Sequence, residues 1–88
     1  MSWFVYMIEA SDGSLYTGIT TDVERRFVEH REGKQGARYF NGREPQRVVY
    51  VEPAEDRSSA SRREAAIKQL RRQQKLELIA GGNTDGGY

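Results

Sequence analysis

Residues 5–18 read VYMIEASDGSLYTG. One aromatic and β-branched run leads into Ser11, Asp12 and Gly13, and a second, LYTGIT (15–20), leads out, so the stretch reads as a β-hairpin. Its register depends on loop parity, because side chains alternate faces with a period of two. A two-residue loop at Asp12 and Gly13 would put Tyr6 and Tyr16 on opposite faces. A three-residue loop, Ser11 to Gly13 with Gly13 left-handed, puts them on the same face. The longer loop also sorts the sequence better. Val5, Met7, Leu15 and Ile19 then share one face with Thr17 as the lone polar member, while Phe4, Tyr6, Ile8, Tyr16 and Gly18 share the other. The three-residue turn is therefore expected, with an apolar side for the fold and a phenolic side for a substrate.

Working outward, residues 20–33 (TTDVERRFVEHREG) read as a helix. Thr21 and Glu24 have capping-box spacing with Thr21 as N-cap, and Gly33 is a stop signal. At about 100° per residue, Val23 and Phe27 point to the core, and Arg26 and His30 form an i, i+4 pair at the border of that stripe. Residues 34–46 (KQGARYFNGREPQ) read as a loop. RVVYVE (47–52) is a third strand ended by Pro53. Ser58 or Ser59 caps a helix over about 59–71, with Ala60, Ile67 and Leu70 inward, and KLELIA (75–80) extends or follows it. The order β-β-α-β-α(-α) predicts a small α+β domain over residues 1–80. Its three-stranded, mostly antiparallel sheet is flanked by helices, and a flexible Gly-rich tail follows at 81–88.

The chain of 88 residues has no cysteine, which excludes disulfides, thiolate zinc sites and cysteine nucleophiles. No apolar run approaches the roughly 18 residues of a membrane span, so a soluble, cytoplasmic protein with no membrane partner is expected. The net charge of +1 conceals segregation: residues 1–24 hold four acids and no base, whereas residues 25–47 and 57–75 each hold seven bases. Folded onto one face, the two basic segments would form a surface for an anionic ligand. The plain alternative is a pair of solvated helices with arginine-rich outer faces.

Tyr6, Tyr16, Gly18, Arg26 and His30 resemble, in order and spacing, the signature of the GIY-YIG nuclease domain, with FVY (4–6) in place of GIY and YTG (16–18) in place of YIG. RREAAIKQL (62–70) is similar to that family's helix with a single metal-binding glutamate, here Glu64. The resemblance covers roughly residues 3–79 and looks closest to the short stand-alone bacterial branch.

The resemblance implies a metal-dependent endonuclease that hydrolyses DNA phosphodiesters, guided by structure rather than sequence, with DNA repair or processing as its setting. It implies one divalent ion, Mg²⁺ or Mn²⁺, on Glu64, which suits a cation that keeps much of its hydration. Tyr6 would be the general base, Tyr16 would assist it, and Arg26 would clamp the scissile phosphate. A free phenol has a pKa of about 10, so nearby cations would have to lower that of Tyr6, or Tyr16 would have to share its proton. His30 would be a hydrogen-bond partner in the cluster or a proton carrier. Gly18 would leave room for a ribose-phosphate backbone. Lys34, Arg38, Tyr39 and Arg43 would form a phosphate track with a stacked base, and Arg62, Arg63, Arg71, Arg72 and Lys75 would add backbone contacts.

Each residue also has a plain reading. The tyrosines would be a cross-strand aromatic pair, Gly18 a strand irregularity and His30 a hydrogen-bonded residue at the core edge. Arg26 would pair with Glu29 or Asp22, and Glu64 with Lys68. The substrate is expected to be branched or flapped DNA, with RNA left open and protein partners supplying specificity. A catalytically weak nucleic-acid-binding module of the same fold is the alternative, and a small adaptor with an aromatic protein-binding face a third reading.

Overall fold

The computed structural model describes residues 2–33, 40 and 42–81. The elements are β1 (Trp3–Ala10), β2 (Leu15–Thr20), α1 (Val23–Glu32), β3 (Pro45–Ala54), α2 (Arg57–Lys68) and α3 (Arg72–Gly81). The strands form one antiparallel sheet in the order β2-β1-β3. This is the α+β architecture expected from the sequence.

The hairpin turn has three residues. Tyr6 pairs with Gly18 and Ile8 with Tyr16. Gly13, at φ 85°, donates its N–H to Ala10 O at 2.9 Å, and Ala10 N–H bonds Ser14 O at 2.9 Å. Only a residue tolerant of the left-handed region closes the loop this way, which places Tyr6, Tyr16 and Gly18 on one face.

Both faces of the sheet are covered. Val5 and Met7 pack with Tyr50, Ala60 and Ile67 under α2, joined by Leu78 and Ile79 of α3. Tyr6 and Ile8 pack with Val51, Val23 and Phe27 under α1. The central strand therefore buries Val5, Tyr6, Met7 and Ile8 in succession. The expectation of one apolar and one substrate-facing side gives way here: α1 covers the phenolic face because Val23, Phe27 and His30 form one helical stripe.

The other differences are local. Asp22, not Thr21, caps α1, accepting from Arg25 N–H at 3.1 Å, because the Thr20 hydroxyl already accepts the Asp22 N–H at 3.1 Å and fixes that residue as extended. Gly33 ends α1 as expected, at φ 76°. Asp56, not Ser58 or Ser59, caps α2, accepting from Ser59 N–H at 2.8 Å. Pro53 does not end β3: it pairs with Phe4, on an edge strand that does not need its missing N–H on both sides. Two register shifts opposite Met7/Ile8 and Glu9/Ala10 bend β3 as bulges do. KLELIA follows α2 as part of a separate helix rather than extending it, and α2 itself ends at Lys68. Arg71 N–H bonds Gln74 Oε1 at 2.9 Å, half of a capping box that restarts the chain as α3. Of the tail expected at 81–88, Gly81 is the last residue of α3, and residues 82–88 lie outside the described residues.

Candidate active site

The α1 face of the hairpin gathers most of the residues singled out from the sequence. The Tyr6 hydroxyl lies 3.0 Å from His30 Nε2. The Tyr16 ring meets His30 edge-on at a centroid distance of 5.1 Å and lies 6.1 Å from Tyr6. Phe40 closes the cluster, 5.2 Å from Tyr16 and 4.9 Å from His30. Arg26 reaches the Tyr6 hydroxyl and also pairs with Glu29 at 3.0 Å. The functional and the plain partner of Arg26 are thus both present. Phe40 is the contribution of the 34–46 loop to the cluster, a placement that the loop, having no sustained periodicity, does not announce in the sequence.

Gly18 is explained by the cluster. A Cβ there would meet Tyr6 Oη at 2.7 Å, Tyr6 Cζ at 2.9 Å and Tyr16 Cε2 at 3.0 Å. The space expected to admit a ribose-phosphate backbone is occupied by the Tyr6 phenol.

Burial sets the electrostatics. Tyr6 is 1% exposed and His30 2%. Burial pushes the Tyr6 phenol well above its ordinary pKa; Tyr16 adds to the shift and Arg26 opposes it. His30 is pulled down to about 4, by burial first and the Arg26 guanidinium second, against a smaller pull from Glu29. At neutral pH both groups are uncharged. A Tyr6 with a lowered pKa that meets the attacking water is therefore not the resting state. Its hydroxyl is enclosed, whereas the neighbouring Tyr16 is only half-buried.

Glu64 comes from the other face. Ala60 and Ile67 point α2 at the sheet, and Arg63 and Glu64 flank that line by about 50° each. Arg63 Nε bonds Glu52 of β3 at 2.9 and 3.2 Å, so Glu64 occupies the flank towards β2, against which α2 also packs. Tyr16 and Glu64 thus approach the open β2 edge from the two faces of the sheet. Glu64 is held by Lys68 at 3.3 Å. The same face of β2 buries the Thr17 hydroxyl without a partner among the described residues. Available donors on this side are oxygens, a set that fits a hard divalent ion keeping most of its water. Among the described residues no group of three or more His, Cys, Asp or Glu could hold a metal.

The expected nucleic-acid contacts divide. Lys34, Arg38 and Tyr39 lie outside the described residues. Arg43 is bound at the hairpin turn, to Asp12 at 3.5 Å and Ser14 at 3.2 Å, and Arg63 is bound to Glu52. Arg25, Arg26 and Arg47 also have carboxylate partners. Arg57, Arg62, Arg71, Arg72 and Lys75, on and between α2 and α3, have none among the described residues. No helix among the described residues is long and apolar enough to cross a membrane.

Residues 2–77 match the model of the GIY-YIG catalytic domain. The chain belongs to the GIY-YIG family. A UPF0213 protein of Desulfotalea psychrophila is 51% identical over 78 residues, 89% of this chain and 71% of that one. UPF0213 protein YhbQ of Escherichia coli K12 is 49% identical over 80 residues, 91% of this chain and 79% of that one. The solution NMR structure of a UPF0213 protein from Bacillus halodurans superposes with a TM-score of 0.59 at 41% identity, covering 96% of this chain and 89% of that one. GIY-YIG domains are nuclease domains, generally dependent on a divalent metal. Membership therefore supports an endonuclease with a nucleic-acid substrate.

Proposed function

We propose that this protein is a divalent-metal-dependent endonuclease that cuts DNA phosphodiesters by recognising structure rather than sequence, with a role in DNA repair or processing. The convergence of His30, Arg26 and Tyr16 on Tyr6, whose phenol lies over Gly18, carries this reading. A packing role alone needs apolar rings; it does not need a buried phenol with a buried imidazole and a half-buried guanidinium at its hydroxyl.

The substrate backbone would lie along the β2 edge. Tyr16, the more exposed phenol, would face the attacking water, with Tyr6 and His30 behind it as successive proton acceptors. The water's proton would pass to Tyr16, that of Tyr16 to Tyr6, and that of Tyr6 to His30 Nε2. Arg26 would turn from Glu29 to the scissile phosphate, whose charge offsets the guanidinium's effect on His30 and so raises the imidazole's basicity. Glu64 would hold Mg²⁺ or Mn²⁺, which supplies charge neutralisation on the phosphoryl oxygens and the leaving alkoxide. The uncompensated cations of α2 and α3 would hold flanking backbone, which favours affinity without base readout. Branched or flapped DNA is the expected substrate, and protein partners would add specificity. Cleavage of branched, flapped and linear DNA, with and without the metal, tests the proposal.

A further inference from the structure

The α2 helix carries two neighbours with opposite fates. Arg63 turns to β3 and Glu64 to β2, on either side of the buried line through Ala60 and Ile67. The Arg63 side has a built anchor. Arg63 Nε bonds both Glu52 carboxylate oxygens, at 2.9 and 3.2 Å. Tyr50 donates its hydroxyl to Glu52 Oε1 at 2.5 Å. The Tyr50 ring is itself 2% exposed and packs against the same face of α2. A helix seated on one alanine and one isoleucine has little to resist rolling about its axis. Alanine presents no bulk, and isoleucine tolerates small rotations by repacking. The Tyr50–Glu52–Arg63 chain supplies that resistance on one flank, and a roll of α2 moves Glu64 on the other.

We infer that Arg63, locked by Glu52 and Tyr50, is a positioning residue that sets the roll of α2 and thereby the placement of Glu64 at the β2 edge. The inference rests on the metal role proposed for Glu64. It reassigns Arg63 from a substrate contact to a strut between α2 and β3, and leaves its neighbour Arg62, with no carboxylate partner among the described residues, to face solvent.

The test uses Mn²⁺ alone as probe, with paramagnetic broadening of backbone amide signals near Glu64 followed by NMR, and thermal unfolding in parallel. Wild-type protein is expected to show saturable broadening that Glu64→Ala removes. Arg63→Met and Glu52→Gln are expected to weaken Mn²⁺ binding about tenfold while remaining folded, the scale on which outer-shell partners act. Arg63→Lys, which keeps the charge but not the fork, should recover part of it. A purely structural Arg63 would lower the melting temperature and leave the Mn²⁺ dissociation constant unchanged in both variants, which overturns the inference. So does an absence of Mn²⁺ binding near Glu64 in the wild type. Mn²⁺ binding that behaves as expected in a protein that cleaves nothing upholds the strut and rejects the nuclease reading instead.

Discussion

The Tyr6 hydroxyl and His30 Nε2 face each other at 3.0 Å inside the protein, each held uncharged by its burial. Neither strand nor helix needs such a pair for packing. It makes stability depend on pH in a way that can be measured. The folded state lowers the His30 pKa from 6.5 to about 4, so the unfolded chain binds a proton that the folded chain refuses. The stability contributed by a neutral His30 is complete above pH 6.5 and is lost as pH falls through about 4. Chemical denaturation should show a decline over that interval of up to about 3 kcal/mol. His30→Phe should flatten the decline. The same slope in both proteins would contradict the assignment. The turn carboxylate Asp12 and the N-cap Asp56, whose pKa values are lowered by their hydrogen bonds to Ser14 and Ser59, act at still lower pH.

Gly18→Ala should be costly for its size. The new methyl would lie 2.7 Å from Tyr6 Oη and 2.9 Å from Cζ, and Tyr6 cannot retreat from a site that is 1% exposed. A loss of about 1–3 kcal/mol in urea unfolding is expected, with a changed near-ultraviolet tyrosine signal. A neutral substitution would mean that the phenols are loosely held.

Thr17→Val should go the other way. The Thr17 hydroxyl is buried without a partner among the described residues, on the α2 side of β2. An isosteric methyl removes a desolvated polar group, so stability should rise by roughly 1 kcal/mol in the same assay. A fall would show that the hydroxyl is hydrogen-bonded in solution.

The cations of α2 and α3 should act through salt-dependent binding. Replacing Arg62, Arg71 and Arg72 together by alanine should weaken duplex binding for all sequences alike. It should also reduce the slope of log affinity against log salt by about two to three, near 0.9 per phosphate contact. Fluorescence anisotropy over a salt series measures it. An unchanged slope would remove this surface from the substrate path.

The sequence made the hairpin register legible because two signals agreed: the period of two sorted the side chains, and Gly13 permitted the odd loop. Strand parity also paired Tyr6 with Tyr16, and i, i+4 spacing paired Arg26 with His30, since both are local geometry; that the two pairs share one site was implied by the resemblance to the GIY-YIG domain. What depended on tertiary packing was not legible. Adjacent arginines look alike in a sequence, yet Arg63 is fixed by Glu52, eleven positions earlier on another element, and Arg62 is not. The burial of Tyr6 followed from the way α1 closes over the sheet. The N-caps were misplaced by one to three residues because Thr21, Asp22, Asp56, Ser58 and Ser59 all have capping chemistry, and neighbouring hydrogen bonds chose among them.

The central claim is metal-dependent phosphodiester hydrolysis at the β2 edge, and a cleavage assay tests it most directly. Purified protein is incubated with end-labelled branched, flapped and linear DNA, with Mg²⁺ or Mn²⁺ and with chelator. The account predicts product only with the divalent ion, abolished in Glu64→Ala and in Arg26→Ala while both variants remain folded and still bind DNA. Cleavage undiminished in Glu64→Ala, or no cleavage of any substrate with either ion, would contradict it.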